Sequence, residues 1–213
     1  MALTICLLGA ESTGKTTLSH AMAASLRANG HRVAVVAEVL RAWCEREGRA
    51  PRPEEQLPIA RQQEQQVDEA AAQSDVVITD TSALMVAIYS GMLFPDGELL
   101  RFALERQRRY DATLVMGLDL PWVPDGLHRE GPAVQAQVDA EVRAALQQAG
   151  IAFRVVYGQG EERTRNALAP VLALLGEAVH PQRRWTWACD KCGDPECEHR
   201  LFTGLARPTA PPT

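Results

Sequence analysis

The chain lacks any apolar run approaching the ~20 residues that a membrane-spanning helix needs. No membrane partner is therefore expected, and the expected location is the cytoplasm. A long basic run is also missing: the formal net charge is −5 and the pI is near 5.6. Proteins that bind nucleic acid rely on many lysine and arginine contacts to phosphate, so no general nucleic-acid partner is expected. The N-terminus has no basic region, and its apolar run leads straight into a glycine-containing loop, so a secretory signal is not expected either. Cysteines are few. Cys6 and Cys44 stand alone, while Cys189, Cys192 and Cys197 crowd together late in the chain, unlike a secreted disulfide framework. No internal repeat is visible.

What the chain does carry begins at Gly9. Gly9-Ala10-Glu11-Ser12-Thr13-Gly14-Lys15-Thr16 satisfies G-x-x-x-x-G-K-[ST]. The apolar run Leu3 to Leu8 before it suits a buried strand. Thr17 to Asn29 after it, with Leu18, Met22 and Leu26, suits a helix. Strand, glycine-bearing turn and helix together turn this pattern into a phosphate site. Such a turn aims successive backbone N–H groups inward, and the helix adds its unpaired N–H groups and positive dipole end. Gly9 and Gly14 allow backbone angles and a close approach that a Cβ would block. Lys15 is expected to reach the β- and γ-phosphates, and the Thr16 hydroxyl to bind Mg²⁺. Glu11, Ser12, Thr13 and Thr17 complete the cradle, so ATP and Mg²⁺ are the expected cofactors.

Strand-like and helix-like segments then alternate. Arg32–Ala37, Asp75–Thr79, Ala112–Leu118 and Ile151–Tyr157 read as further strands. Helices are expected over Val39–Glu47 (closed by Gly48), Glu54–Ser74 (broken near Pro58), Ala83–Tyr89, Glu98–Tyr110, Val134–Gln148 and Glu161–Leu175. Short Val-rich runs that are apolar on both faces suit a parallel sheet. Alternation with helices implies βαβ units and right-handed crossovers. The expected fold is α/β: a P-loop NTPase three-layer sandwich, with a five-stranded parallel sheet and helices on both faces, over residues 1–179. A Trp- and Cys-rich tail follows over residues 180–213.

In open parallel sheets, ligands bind beyond the carboxyl ends of the strands. That rule selects Glu38, Asp80 and the loop after Asp119 as neighbours of the phosphate loop. Asp80 closes an apolar strand, as an Mg²⁺-holding carboxylate does; capping the next helix is the plainer reading. Glu38 suits a general base for a substrate hydroxyl, and Arg41 suits a grip on phosphate or substrate. The plainer reading is a surface ion pair. Lys15, Glu38 and Asp80 thus form the expected catalytic set. In the segment Asp119–Arg129, Trp122 suits stacking on a flat ring, and Arg129 or His128 suits the transferring phosphate; a packed turn is the alternative. Arg101, Arg106, Arg108 and Arg109 read as a solvated helix face.

The tail carries Cys189-x2-Cys192-x4-Cys197-x-His199. Three thiolates and an imidazole suit a tetrahedral structural Zn²⁺ site that would order a segment poor in apolar residues. A redox Cys pair and a tail without order are the alternatives. Trp185 and Trp187 precede the cluster and suit docking against the main domain.

Taken together, the motifs resemble the ribosylnicotinamide kinase domain of NadR-type proteins. The likeness rests on G-A-E-S-T-G-K-T-T-L at 9–18, E-V-L-R at 38–41, T-D-T-S-A-L at 79–84, Y-S at 89–90, Y-D at 110–111 and D-L-P-W-V-P-D-G-L at 119–127. It implies ATP-dependent phosphorylation of the 5′-hydroxyl of nicotinamide riboside, in NAD metabolism. Lys15 and Thr16 would take ATP and Mg²⁺, Asp80 and Glu38 would serve metal and substrate, and Trp122 and Asp125 would belong to the substrate-side loop. The chain departs from the family pattern at Val39, Ser82 and His128, and no adenylyltransferase domain is expected ahead of a sheet that starts at once.

Two function classes follow. One is a small-molecule kinase with a nucleoside acceptor. The other is an ATPase or nucleotide switch whose tail contacts a protein partner. Metal analysis tests the tail: about one Zn²⁺ per chain is expected, lost in Cys192→Ser, and a folded metal-free tail would reject the site.

Overall fold

Leu3–Leu8 forms strand β1, with its last four residues buried, as an unbroken apolar run at the centre of a sheet requires. The computed structural model describes residues 2–92, 97–123 and 132–177. The chain divides into two units, Met1–Glu177 and Ala178–Thr213, and the second lies outside the described residues. After β1 come α1 (Lys15–Ala28), β2 (Val33–Val36), α2 (Val39–Glu47), α3 (Pro53–Ala71), β3 (Val76–Thr79) and α4 (Ala83–Gly91). Then follow α5 (Gly97–Gln107), β4 (Ala112–Met116), α6 (Pro132–Gln148), β5 (Arg154–Val156) and α7 (Gly160–Leu174).

The strands form one five-stranded parallel sheet in the order β2-β3-β1-β4-β5. Alternation along β1 separates two cores. Ile5 and Leu7 pack with Leu18, Met22 and Leu26 of α1 and Leu168 and Val171 of α7. Cys6 and Leu8 pack on the opposite face with Ala60 of α3, Leu84 of α4, Leu99 of α5 and Val142 of α6. The result is the three-layer α/β sandwich of a P-loop NTPase.

Strand order decides where the loops meet. Cys6 is level with Thr79, Leu8 with Val115, and Val36 with Thr79. The chain therefore leaves β1, β2 and β3 at one edge of the sheet, and the Asp80 N–H donates to the Val36 carbonyl at 2.9 Å.

Three expectations are corrected. The break near Pro58 does not occur: α3 runs unbroken from Pro53 to Ala71. Pro58 removes one helical hydrogen bond, but buried Gln56, Ile59 and Ala60 hold this turn against the core. The arginine stripe is not uniformly solvated. Arg106 is largely buried and donates to Glu64 at 3.2 Å and Asp68 at 2.7 Å. The expected fifth strand shortens to Arg154–Val156, because it lies at the sheet edge and pairs only with β4.

Leu7 is fully buried between the sheet and α1. Leu7→Ala is expected to destabilise the domain by about 2–5 kcal/mol, read as a lower urea midpoint with an unchanged slope.

Candidate active site at the phosphate loop

The loop between β1 and α1 owes its path to backbone angles. Gly9 has φ +152°, and a Cβ there would stand 2.9 Å from the Met116 Cβ. Gly14 has φ +77° and forms the N-cap of α1. Ser12 is the one non-glycine residue with positive φ among the described residues. Its hydroxyl donates to the Val123 carbonyl at 2.6 Å, tying the loop to the segment after β4. The buried Thr13 hydroxyl donates to the Ala10 carbonyl at 2.7 Å, and Gln135 of α6 donates to the Glu11 carbonyl at 2.8 Å. Lys15 Nζ donates to the carbonyls of Gly9 at 2.8 Å and Ala10 at 2.9 Å.

Beside the loop stands Asp80, 4% exposed. Thr16 Oγ1 donates to its Oδ2 at 2.5 Å, while its Oδ1 is buried without a partner. Burial pushes the Asp80 carboxyl above its ordinary range; the Thr16 hydrogen bond and the Lys15 charge pull the other way. A buried carboxylate oxygen without a donor, next to a loop hydroxyl, suits a hard cation.

Glu38 caps α2 by position, but its side chain makes no capping hydrogen bond. It faces Arg41 at 3.7 Å. Both line a cleft of about 670 Å³, together with Ser12, Lys15, Thr16 and Thr17 of the phosphate loop and α1. Thr81, Met85 and Tyr89 form another wall, and Leu120, Pro121 and Val123 a third. Trp122 is half-buried between two of these wall residues. A second cavity of about 560 Å³ shares Gly14, Thr17 and Leu120 with the first and continues between α1 and α7, past Leu18, Arg163 and Leu168. Asp125, His128, Arg129, Trp185, Trp187, Cys189, Cys192, Cys197 and His199 lie outside the described residues. Burial pushes the Cys6 thiol up to about 12, so it is a protonated core group and no nucleophile.

A family model described as an AAA domain matches residues 4–163. The chain belongs to the AAA domain family. No curated protein matches it in sequence. Among solved structures it is similar to the NadR protein in complex with NAD and AMP-PNP, with TM-score 0.65 and 17% identity over 85% of this chain and 51% of that one. The NadR protein in complex with NR is similar at TM-score 0.64 and 17% identity, over 85% of this chain and 53% of that one. The chain thus spans about half the length of these structures. At that identity the likeness is one of fold. Family and fold together make this AAA domain a P-loop nucleotide-binding domain that shares the NadR fold.

Several residues that hold the site of this AAA domain carry no motif. Arg163 of α7, 4% exposed, donates to Asp119 at 2.9 Å, to the Gly158 carbonyl at 3.0 Å, to the Thr13 carbonyl at 3.0 Å and to the Gly117 carbonyl at 3.2 Å. One guanidinium thereby joins the phosphate loop to the ends of β4 and β5. Burial works upward on Asp119, but Arg163 and the Gly158 N–H outweigh it and hold its carboxyl below the ordinary range. Gln63 and Glu64 of α3, also buried, reach the turns after β2 and β3. The only sequence signal for any of these was a polar residue on an otherwise core-facing position.

The raised Asp80 carboxyl gives a test with a definite sign. A carboxyl pushed up on folding weakens the fold once it ionises, so stability falls as pH rises through its folded value. Asp80→Asn is expected to raise the thermal midpoint of the nucleotide-free protein at pH 7. The gain should shrink as pH falls below the ordinary aspartate value of about 3.9, where the wild-type carboxyl becomes protonated in both states.

Proposed function

We propose that this domain transfers the γ-phosphoryl group of MgATP to the hydroxyl of a small acceptor, a nucleoside such as nicotinamide riboside. The observation that carries the reading is the meeting of Lys15, Thr16, Glu38 and Arg41 at one cleft, with Asp80 hydrogen-bonded to Thr16 behind it. Support for the acceptor class comes from the NadR likeness, since those structures hold NAD with AMP-PNP, and NR.

The phosphate loop amides and Lys15 would take the triphosphate, with Lys15 exchanging the Gly9 and Ala10 carbonyls for phosphate oxygens. The base end would lie in the cavity between α1 and α7. Thr16 and Asp80 would hold Mg²⁺, which neutralises charge on the β- and γ-phosphates when bound. Glu38 sits across the cleft to accept the proton of the acceptor hydroxyl, and Arg41 to hold the acceptor or the phosphoryl group in transfer. Met85 and Tyr89 offer apolar surface to a flat ring. Positioning and charge neutralisation would do most of the work. Trp122, Asp125 and Arg129 are proposed for the acceptor side, the unit 1–179 for the reaction, and the tail for Zn²⁺ through Cys189, Cys192, Cys197 and His199.

Purified protein should be assayed with MgATP and a panel of nucleosides, measuring ADP and phosphorylated product. One acceptor is expected to raise ADP release and yield its monophosphate, and Lys15→Ala should lower that rate at least about a hundredfold. If no acceptor raises ADP above background, the phosphotransfer reading fails. Hydrolysis that needs no acceptor yet is lost in Lys15→Ala would instead favour the nucleotide-switch reading.

A further inference from the structure

Gln63 is a fully buried amide in the middle of α3, outside every motif of the sequence. Its bonds are placed in a telling way. The Val39 N–H donates to Gln63 Oε1 at 2.9 Å, and Gln63 Nε2 donates to the Ala37 carbonyl at 3.2 Å. These two groups flank Glu38 in sequence. Gln63 Nε2 also donates to Thr79 Oγ1 at 3.3 Å, and that hydroxyl in turn donates to the Thr81 carbonyl. These two residues flank Asp80. A single side chain thus bridges the backbone on both sides of one carboxylate and reaches the pair of residues on both sides of the other.

The chemistry fits this placement. The amide offers an acceptor and two donors, and a buried group of this kind is expected to use them. Capping of α2 is taken over by Gln63 from outside the helix. Glu38 stands at the N-cap yet makes no capping bond of its own, so its carboxylate stays directed to the cleft wall. The next residue repeats the pattern at the other strand end: Glu64 Oε1 accepts the Ala83 N–H, the first of α4, at 2.9 Å. Glu64 Oε2 is held by Arg106 at 3.2 Å and the Tyr110 hydroxyl at 3.1 Å.

We infer that Gln63 is a positioning residue, setting the spacing of Glu38 and Asp80 by joining the turns after β2 and β3. The inference rests on the proposed role of those two carboxylates. It does not touch the phosphate loop, so loop binding and carboxylate alignment are separable.

The test compares Gln63→Met with Gln56→Met in the full chain. Gln56 is a buried amide on the same helix, donating to the Pro51 carbonyl at 3.3 Å, away from both acids. Three readouts are taken: turnover with the acceptor, the gain in ATP affinity on adding Mg²⁺, and amide hydrogen exchange over residues 37–41 and 79–83. In Gln63→Met, ATP affinity without metal is expected to stay within about twofold, while turnover and the Mg²⁺-linked gain each fall about tenfold or more. Exchange over both turns is expected to quicken in Gln63→Met alone. A folded Gln63→Met protein with all three readouts near wild type overturns the inference. Equal losses in both variants overturn it too, by reducing Gln63 to general support. If the wild type phosphorylates no acceptor, the functional reading falls, while metal-linked affinity and exchange still decide the role of Gln63.

Discussion

The hydrogen bond from Thr16 to Asp80 joins residues 64 positions apart, and the whole site is arranged around it. It exists because β1 and β3 are parallel neighbours in register. Parallel pairing brings both strands to the same sheet edge, and a parallel neighbour must arrive by a crossover helix. The phosphate loop and the carboxylate therefore meet at the switch in strand order, where open α/β sheets bind ligands. Moving β3 out of that place would leave an intact loop with no acid beside it.

That edge is assembled from turns, which have little packing of their own. Their rigidity is supplied from below by buried polar side chains. Arg163 holds the Thr13 carbonyl together with the ends of β4 and β5, and Gln63 and Glu64 hold the turns after β2 and β3. Burying such groups is unfavourable unless their hydrogen bonds are made. Here most are made, and to backbone, which fixes chain position rather than side-chain position. Among the described residues, Asp80 Oδ1, Thr81 Oγ1, Ser90 Oγ, Asp139 Oδ1 and Arg163 Nε stay buried without a partner, and Asp80 is the one of these acids that also accepts from the phosphate loop, at Thr16.

The phosphate loop, β1 and α2 were legible because their causes are local. Gly9, Gly14, Lys15 and Thr16 act within one turn, and the span Val39–Glu47 ended by Gly48 follows from period and a left-handed C-cap residue. The placement of Glu38 and Asp80 at the phosphate-loop edge of the sheet was legible from a topological rule about strand ends. Arg106 was misread because the same period that makes a solvated stripe also turns one of its members toward α3. Pro58 was misread because a local penalty was weighed without the buried neighbours that oppose it. Arg163, Gln63 and Glu64 showed only as polar residues at core-facing positions, since nothing near them in sequence names their partners.

By itself, then, the order of residues determined an alternating α/β chain with a triphosphate-binding turn at its start, because hydrophobic period and glycine geometry act over a few residues. Only the tertiary structure decided that Asp80 stands against Thr16, that Glu38 and Arg41 share the cleft with Lys15, and that an amide and a carboxylate of α3 and a guanidinium of α7 hold the turns around them. Those pairings span 16 to 150 positions, and contacts at such range follow from strand order and packing, which no short stretch of chain encodes.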